Sequence, residues 1–259
     1  MLGSVRREKI LEYIREKGYA KIEELSKIFN MSRSSIRRDL GIMDDKNLLT
    51  RTFGGAVLQD GKQNGNTNGL IGLTSFNEHL KIMKKEKMRI AKAAAVLVKK
   101  GDRVILDGGT TTYYIARQLM DKYIQVITNS LPILNMMSGC DNINLTVLGG
   151  TLHKATGIFL GVPSIELLKQ INVEKAFIGM GGIDKDGITN VDFALVNTEK
   201  MMIEISKEVI VAGDSSKFNR KALAFISELS NIDKVITDRE MPSEYHDILK
   251  KSDIELIIA

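Results

Sequence analysis

The stretch Asn30-Met31-Ser32-Arg33-Ser34-Ser35-Ile36-Arg37-Arg38-Asp39-Leu40 decides how the N-terminal part of the chain is read. Ser32 is a good helix N-cap, because its hydroxyl accepts from the orphan N–H groups of a first turn. Ile36, Leu40 and Met43 then recur at i, i+4 and i+7 and form one apolar stripe. At roughly 100° per residue, Ser34, Arg37 and Arg38 point away from that stripe, and Arg33 stands at its border. Arginine forks onto guanine and short hydroxyls let a backbone approach, so this face suits a DNA major groove. A solvated basic helix face has the same pattern, and the neighbouring segments decide between the two.

Upstream, residues 5–17 predict an amphipathic helix on Ile10, Leu11 and Ile14, closed by Gly18. A second helix is expected over Lys21–Phe29, with Ile22, Leu25 and Phe29 on one side, before a tight turn at Asn30-Met31. Downstream, Leu48 to Val57 reads as a hairpin turning at Gly54-Gly55. Three helices and a hairpin make a small winged helix-turn-helix domain over 1–58. That segment holds 12 Lys and Arg against 8 Asp and Glu, which is +4 of the chain's net +5. The basic excess sits where phosphates would be met.

Ser32 to Leu40, followed by Leu49-Thr50-Arg51-Thr52-Phe53-Gly54-Gly55-Ala56, resembles the signature of the DeoR family of bacterial sugar-metabolism repressors. The resemblance implies DNA contacts from Ser32, Arg33, Ser34, Ser35, Arg37 and Arg38, with Lys21 and Arg51 on phosphates. Two positions depart from the family pattern. Phe53 stands where histidine is usual. Gly41 takes an expected exposed position of the recognition helix, at a helix cost of ~1 kcal/mol.

Residues 59–69 are polar, glycine-rich and aperiodic, and mark a flexible linker that is taken to run to residue 80. From Lys84 to the end, short apolar strands alternate with helices. Strands are expected over 103–107, 125–129, 145–150, 176–182, 209–214, 234–238 and 254–258. This α/β pattern predicts a mostly parallel, doubly covered sheet in a domain spanning 81–259.

In such sheets small molecules bind beyond the carboxyl ends of the strands. Asp107-Gly108-Gly109-Thr110-Thr111-Thr112 closes one strand and opens a helix, which suits an anion. Thr128-Asn129-Ser130, Gly149-Gly150, Gly179-Met180-Gly181-Gly182 and Asp214-Ser215-Ser216-Lys217 end other strands. Lys217 would supply a cation, while Asp107 and Asn129 suit sugar hydroxyls. Any one of these turns is more often a plain helix cap; five together imply a site. The same segments resemble the DeoR effector domain, which shares the sugar-phosphate isomerase-like fold of ribose-5-phosphate isomerase. After Gly187-Ile188-Thr189 that family usually has an acidic pair, where this chain has Ala194-Leu195.

The function implied is a transcriptional regulator, a repressor of a carbohydrate-metabolism operon, whose operator DNA binding is set by a phosphorylated sugar or related metabolite. The alternatives are a sugar-phosphate isomerase with a DNA-binding extension, using Asp107, Asp184 or Asp214 as base, and a ligand-free nucleoid-type DNA binder. No cofactor or metal is expected: there is one cysteine, Cys140, and three scattered histidines. With no signal peptide or membrane span in the pattern, a cytoplasmic homo-oligomer, dimer or tetramer, is expected.

Overall fold

A computed structural model describes residues 3–46, 48–52, 54–58 and 74–259. The chain forms two compact units, 1–71 and 72–259. Phe53 and the linker segment 59–73 lie outside the described residues.

The first unit runs α1 (Gly3–Lys17), β1 (Tyr19–Lys21), α2 (Ile22–Ile28), α3 (Arg33–Asp45), β2 (Leu49–Thr52) and β3 (Gly55–Leu58). Ile10 and Ile14 of α1, Leu25 of α2, and Ile36, Leu40 and Met43 of α3 close one core. Between α2 and α3 the chain turns at Asn30, φ 49°. Ser26 Oγ locks that turn by donating to the Met31 carbonyl at 2.6 Å.

Strand β1 is a departure from expectation, since Lys21 was placed on the second helix. Tyr19, Ala20 and Lys21 pair instead with Val57, Ala56 and Gly55, making a three-stranded sheet in the order β1-β3-β2. Three residues are too few to show a period. Gly54 lies in the turn, at φ 76°, while Gly55 is already in the strand. A Cβ on Gly55 would come within 2.1 Å of the Ala20 carbonyl oxygen, so that pairing needs glycine.

Asp39 fastens α3 to α1. Its side chain is 3 % exposed and accepts from Arg6 Nε at 2.6 Å and from an Arg7 guanidinium nitrogen at 3.2 Å.

The second unit begins with α4 (Thr74–Lys81) and α5 (Lys84–Val96). Helix α4 corrects the linker expected to reach residue 80. Phe76 is buried edge-on to Tyr113, and Tyr114 Oη donates to the Leu80 carbonyl. This apolar anchoring is what makes the segment part of the domain.

There follow β4 (Arg103–Leu106), α6 (Thr110–Leu119), β5 (Ile124–Thr128), α7 (Leu131–Met137) and β6 (Ile143–Val147). A hairpin of β7 (Thr151–His153) and β8 (Ile158–Leu160) leads to α8 (Val162–Leu168) and β9 (Val173–Ile178). Then come β10 (Gly182–Asp184), β11 (Gly187–Asn190), α9 (Phe193–Glu204), β12 (Ser206–Ala212) and β13 (Ala224–Ser227). The chain closes with β14 (Lys234–Thr237), α10 (Glu244–Lys251) and β15 (Glu255–Ile258).

Seven strands form one sheet in the order β15-β14-β12-β9-β4-β5-β6, every pairing parallel. They are the seven anticipated from the sequence. Alternation along each strand splits their side chains between two cores. Ile105, Ile178, Val211 and Val235 pack with α8, α9 and α10. Leu106, Phe177, Ile210 and Ile236 pack with α5, α6 and α7, and Cys140 lies in that second core. The β7–β8 hairpin and the antiparallel set β10-β11-β13 were not anticipated.

The Asp39 contact yields a first expectation. Asp39 is buried while Arg6 and Arg7 reach solvent, so Asp39→Ala should destabilise the N-terminal unit by about 1–3 kcal/mol through its lost charge-assisted hydrogen bonds. Urea melts of the full chain, compared with wild type, test this; an unchanged first transition would show the pair to be dispensable.

Candidate functional site

On α3, Ser32 caps the helix by accepting from Ser35 N at 3.2 Å and lies 2.9 Å from the hydroxyls of both Ser34 and Ser35. Ser34 and Arg38 are exposed and Arg37 is half-buried, opposite the Ile36–Leu40 stripe. Arg33 is exposed and 3.2 Å from Glu23 of α2. Lys21 is exposed at the end of β1, and Arg51 is half-buried on β2. Gly41 is a correction: it is buried. Having no side chain, it offers nothing that reaches past its neighbours.

The strand-end turns of the C-terminal unit all fall on one edge, because their strands are parallel. Asp107, after β4, is 5 % exposed, and its Oδ2 accepts from Gly179 N, after β9, at 3.1 Å. Burial pushes its carboxyl above the ordinary range. Gly109 N-caps α6 with no side-chain bond, so the first-turn N–H groups of Thr110 and Thr111 remain for an anion. Gly179 is also constrained by space, since a Cβ there would sit 3.2 Å from Asp107 Oδ2.

Three expected contacts turn inward instead. Thr112 Oγ1 donates to the carbonyls of Asp107 and Gly109. Thr128 Oγ1 donates to the Leu106 carbonyl and accepts from Ser130 N. Ser130 Oγ caps α7 through Ile133 N. These hydroxyls build the turns. Asn129, 1 % exposed, differs: its Oδ1 has no hydrogen-bond partner among the described residues.

Gly149 and Gly150 follow β6, and a Cβ on Gly150 would come within 2.2 Å of the Leu160 carbonyl oxygen. Gly181 binds back to the Thr189 carbonyl through its N–H at 2.7 Å. Asp214, after β12, caps the Ser215–Lys217 turn through Ser216, and Lys217 is half-buried. Asp238, after β14, holds the same turn through Ser215 N at 2.8 Å. Asp184 lies elsewhere, accepting from Asp186 N and Gly187 N in the β10–β11 turn. Ala194 is exposed and Leu195 is buried on α9.

Two residues of this rim escaped the sequence reading. Lys87, on α5, is 4 % exposed and donates to the His79 carbonyl at 2.8 Å. Burial lowers it to about 8, opposed by Asp214 and reinforced by Lys217, which places all three charges together. Glu199, on α9, is 1 % exposed, takes the Asn190 amide at 2.5 Å on Oε1, and leaves Oε2 without a partner among the described residues. Burial, with Asp107 nearby, holds it well above the usual carboxylate range. The available signal was position. Lys87 precedes Ile90, Ala91 and Ala94 on one apolar stripe, and Glu199 sits among Leu195, Val196, Met202 and Ile203.

Residues 6–62 match the DeoR-like helix-turn-helix domain, and residues 82–239 match the DeoR C-terminal sensor domain. The chain belongs to the DeoR family. DeoR-type relatives align along nearly its whole length. The HTH-type transcriptional repressor GlcR of Bacillus subtilis strain 168 is 33% identical, over 96% of this chain and 93% of that protein. The glycerol-3-phosphate regulon repressor of Escherichia coli strain K12 is 30% identical over 99% of each. A ribose 5-phosphate isomerase A structure from Methanocaldococcus jannaschii superposes with TM-score 0.40 and 20% identity, over 54% of this chain and 56% of that one. As a DeoR-family protein the chain is a DNA-binding transcriptional regulator with a sensor domain. Among the described residues no helix is long and apolar enough to cross a membrane.

Lys87 gives the site a pH signature. Its folded value, about 8, lies below the ordinary lysine value of 10.5, so between them the unfolded chain binds more protons and stability rises with pH. Lys87→Met should flatten that rise. Denaturant midpoints for both proteins across the window are the check, and parallel curves would remove Lys87 as its source.

Proposed function

We propose that this regulator represses a carbohydrate-metabolism operon and that a phosphorylated sugar at the strand-end rim sets its grip on DNA. The observation that carries the reading is the joining, in one chain, of a basic recognition helix to a parallel sheet whose polar strand ends share one edge. The uncapped start of α6 suits a phosphate, and Lys217, after β12, and Lys87 beside it supply cations. The names of the glycerol-3-phosphate regulon repressor and of GlcR support the same class. Arg37 and Arg38 read base edges, and Ser34 lets the backbone close in; Lys21, Ser32, Arg33, Ser35 and Arg51 position the helix on phosphates. The rim senses its ligand without turning it over, and the protein works in the cytoplasm, where its operator is.

Two copies bind together, as a helix-turn-helix on paired half-sites requires. Val162, Val191, Phe193, Leu223 and Phe225 are all exposed on neighbouring elements of the C-terminal unit. Asn190 pairs with Ala224, which brings Val191 beside Leu223. We assign the copy-to-copy contact to this apolar patch. Phe193→Asp with Leu223→Asp should convert the oligomer to monomer in sedimentation velocity; an unaltered species would move the contact elsewhere.

Operator titration tests the rest. Arg37→Ala or Arg38→Ala should cost ~1–3 kcal/mol selectively on operator DNA. Lys21→Ala or Arg51→Ala should weaken all sequences alike and reduce the salt slope by about 0.9. A sugar phosphate should change operator affinity by ~5–150-fold, a response lost in Lys217→Ala with ligand-free binding kept. Full affinity in both recognition-helix variants would overturn the DNA assignment, and a full response in Lys217→Ala would remove that lysine from the site.

A further inference from the structure

The helices on the two faces of the C-terminal sheet differ in charge. On one face α5 carries Lys84, Lys85, Lys87, Arg89 and Lys92 against Glu86. On the other, α8, α9 and α10 together hold five acidic residues and three basic ones. The basic residues of α5 are also ordered. Ile90, Ala91, Ala94 and Ala95 are buried, while Lys85, Arg89 and Lys92 recur at i, i+4 and i+7 on the exposed side. Every exposed residue from Lys85 to Lys92 is a cation. Glu86 and Glu240 stand 3.6 and 3.9 Å from Arg89. Among the described residues, Lys85 and Lys92 have no ion-pair partner. Like charges one turn apart repel, so such a row raises the energy of the helix until something anionic lies along it.

We propose that the exposed face of α5 is a second DNA contact, in which Lys85, Arg89 and Lys92 hold backbone phosphates that the recognition helix does not meet. The inference rests on the chain being a DNA-binding regulator and is independent of the effector site. Lys85 and Lys92 are seven residues apart, about 10 Å along the helix axis. One DNA strand offers a phosphate at every ~3.4 Å of its own axis, so the row takes in two or three of them. Cations on a helix surface need no pocket to meet phosphate, and such contacts carry no base preference.

DNA fits this face better than a protein partner does. A protein interface has an apolar centre from which charge is depleted, and this face has the reverse composition. DNA is also at hand. Residues 59–73, which join β3 to α4, span at most roughly 50 Å. A duplex gripped by the first unit is therefore held at high effective concentration for the second, and each weak phosphate contact there adds to the whole. The first unit gains from the help, since its Arg6 and Arg7 are paired with Asp39 and its Arg33 with Glu23.

The test is binding of the full chain to a random-sequence DNA duplex of about 40 base pairs, measured between about 50 and 200 mM salt. Replacing Lys85, Arg89 and Lys92 together by Gln should flatten the slope of log affinity against log salt by about 2–3, since each phosphate contact contributes about 0.9. A matched variant, Lys200→Gln with Lys250→Gln and Lys251→Gln, takes the same charge from exposed positions on α9 and α10 and should keep the wild-type slope. In the wild-type protein, the duplex should also slow acetylation of Lys85 and Lys92 and leave that of Lys200 and Lys251 unchanged. That protection is read without any variant. Equal slopes for the two triple variants would reduce the row to net charge and overturn the contact. So would acetylation of Lys85 and Lys92 that DNA does not slow. Failure of the wild-type chain to bind the duplex would overturn the DNA-binding reading itself, and the inference with it.

Discussion

A parallel sheet covered on both faces leaves a protein one kind of place to meet a small molecule. Alternation along the strands sends Leu106, Phe177 and Ile210 to one core and Ile105, Ile178 and Val211 to the other, so neither face has room for polar function. The amino ends of the strands are reached by helices that finish there, and the carboxyl ends open into helices that begin. Backbone N–H groups, glycines and short side chains therefore accumulate along the carboxyl edge. The turns after β4, β5, β9 and β12 need not be near in sequence to share a site, because parallel pairing already makes them neighbours.

That constraint is also why so much was legible beforehand. Seven apolar runs alternating with helical periods specify a parallel sheet, and the polar ends follow from its geometry. The recognition helix was equally plain, since the Ile36–Leu40–Met43 period and the Ser32 cap are local signals. What escaped reading was set by partners distant in sequence. Strand β1 exists because Gly55 lets it approach, and β11 pairs with β13 across more than thirty residues. Side-chain direction within a turn was hidden as well. Thr112, Thr128 and Ser130 have the composition of ligand donors, but their hydroxyls bond within the strand-end turns. Lys87 and Glu199 lie on helices that read as ordinary amphipathic cover, and only their place on the buried stripe marked them.

Those two residues show how the sensor domain departs from a structure made only for stability. A lysine and a glutamate under helices, each with its charged form disfavoured by burial, cost the domain stability. The destabilised groups thus gather at the edge the fold leaves open, and the two cores absorb the cost.

Asp39 has a consequence for how the protein searches DNA. The Arg37-Arg38-Asp39 run divides its charges, with the arginines on the side away from the stripe and the acid turned back to hold Arg6 and Arg7. Those two cations are thereby partly neutralised, and Arg33 is paired at the surface with Glu23. The charge available for indiscriminate attraction is smaller than the basic residue count suggests. In a genome where every base pair competes for the protein, such thrift in positive charge shortens the time lost on wrong sequences and leaves the operator contacts to decide where it stays.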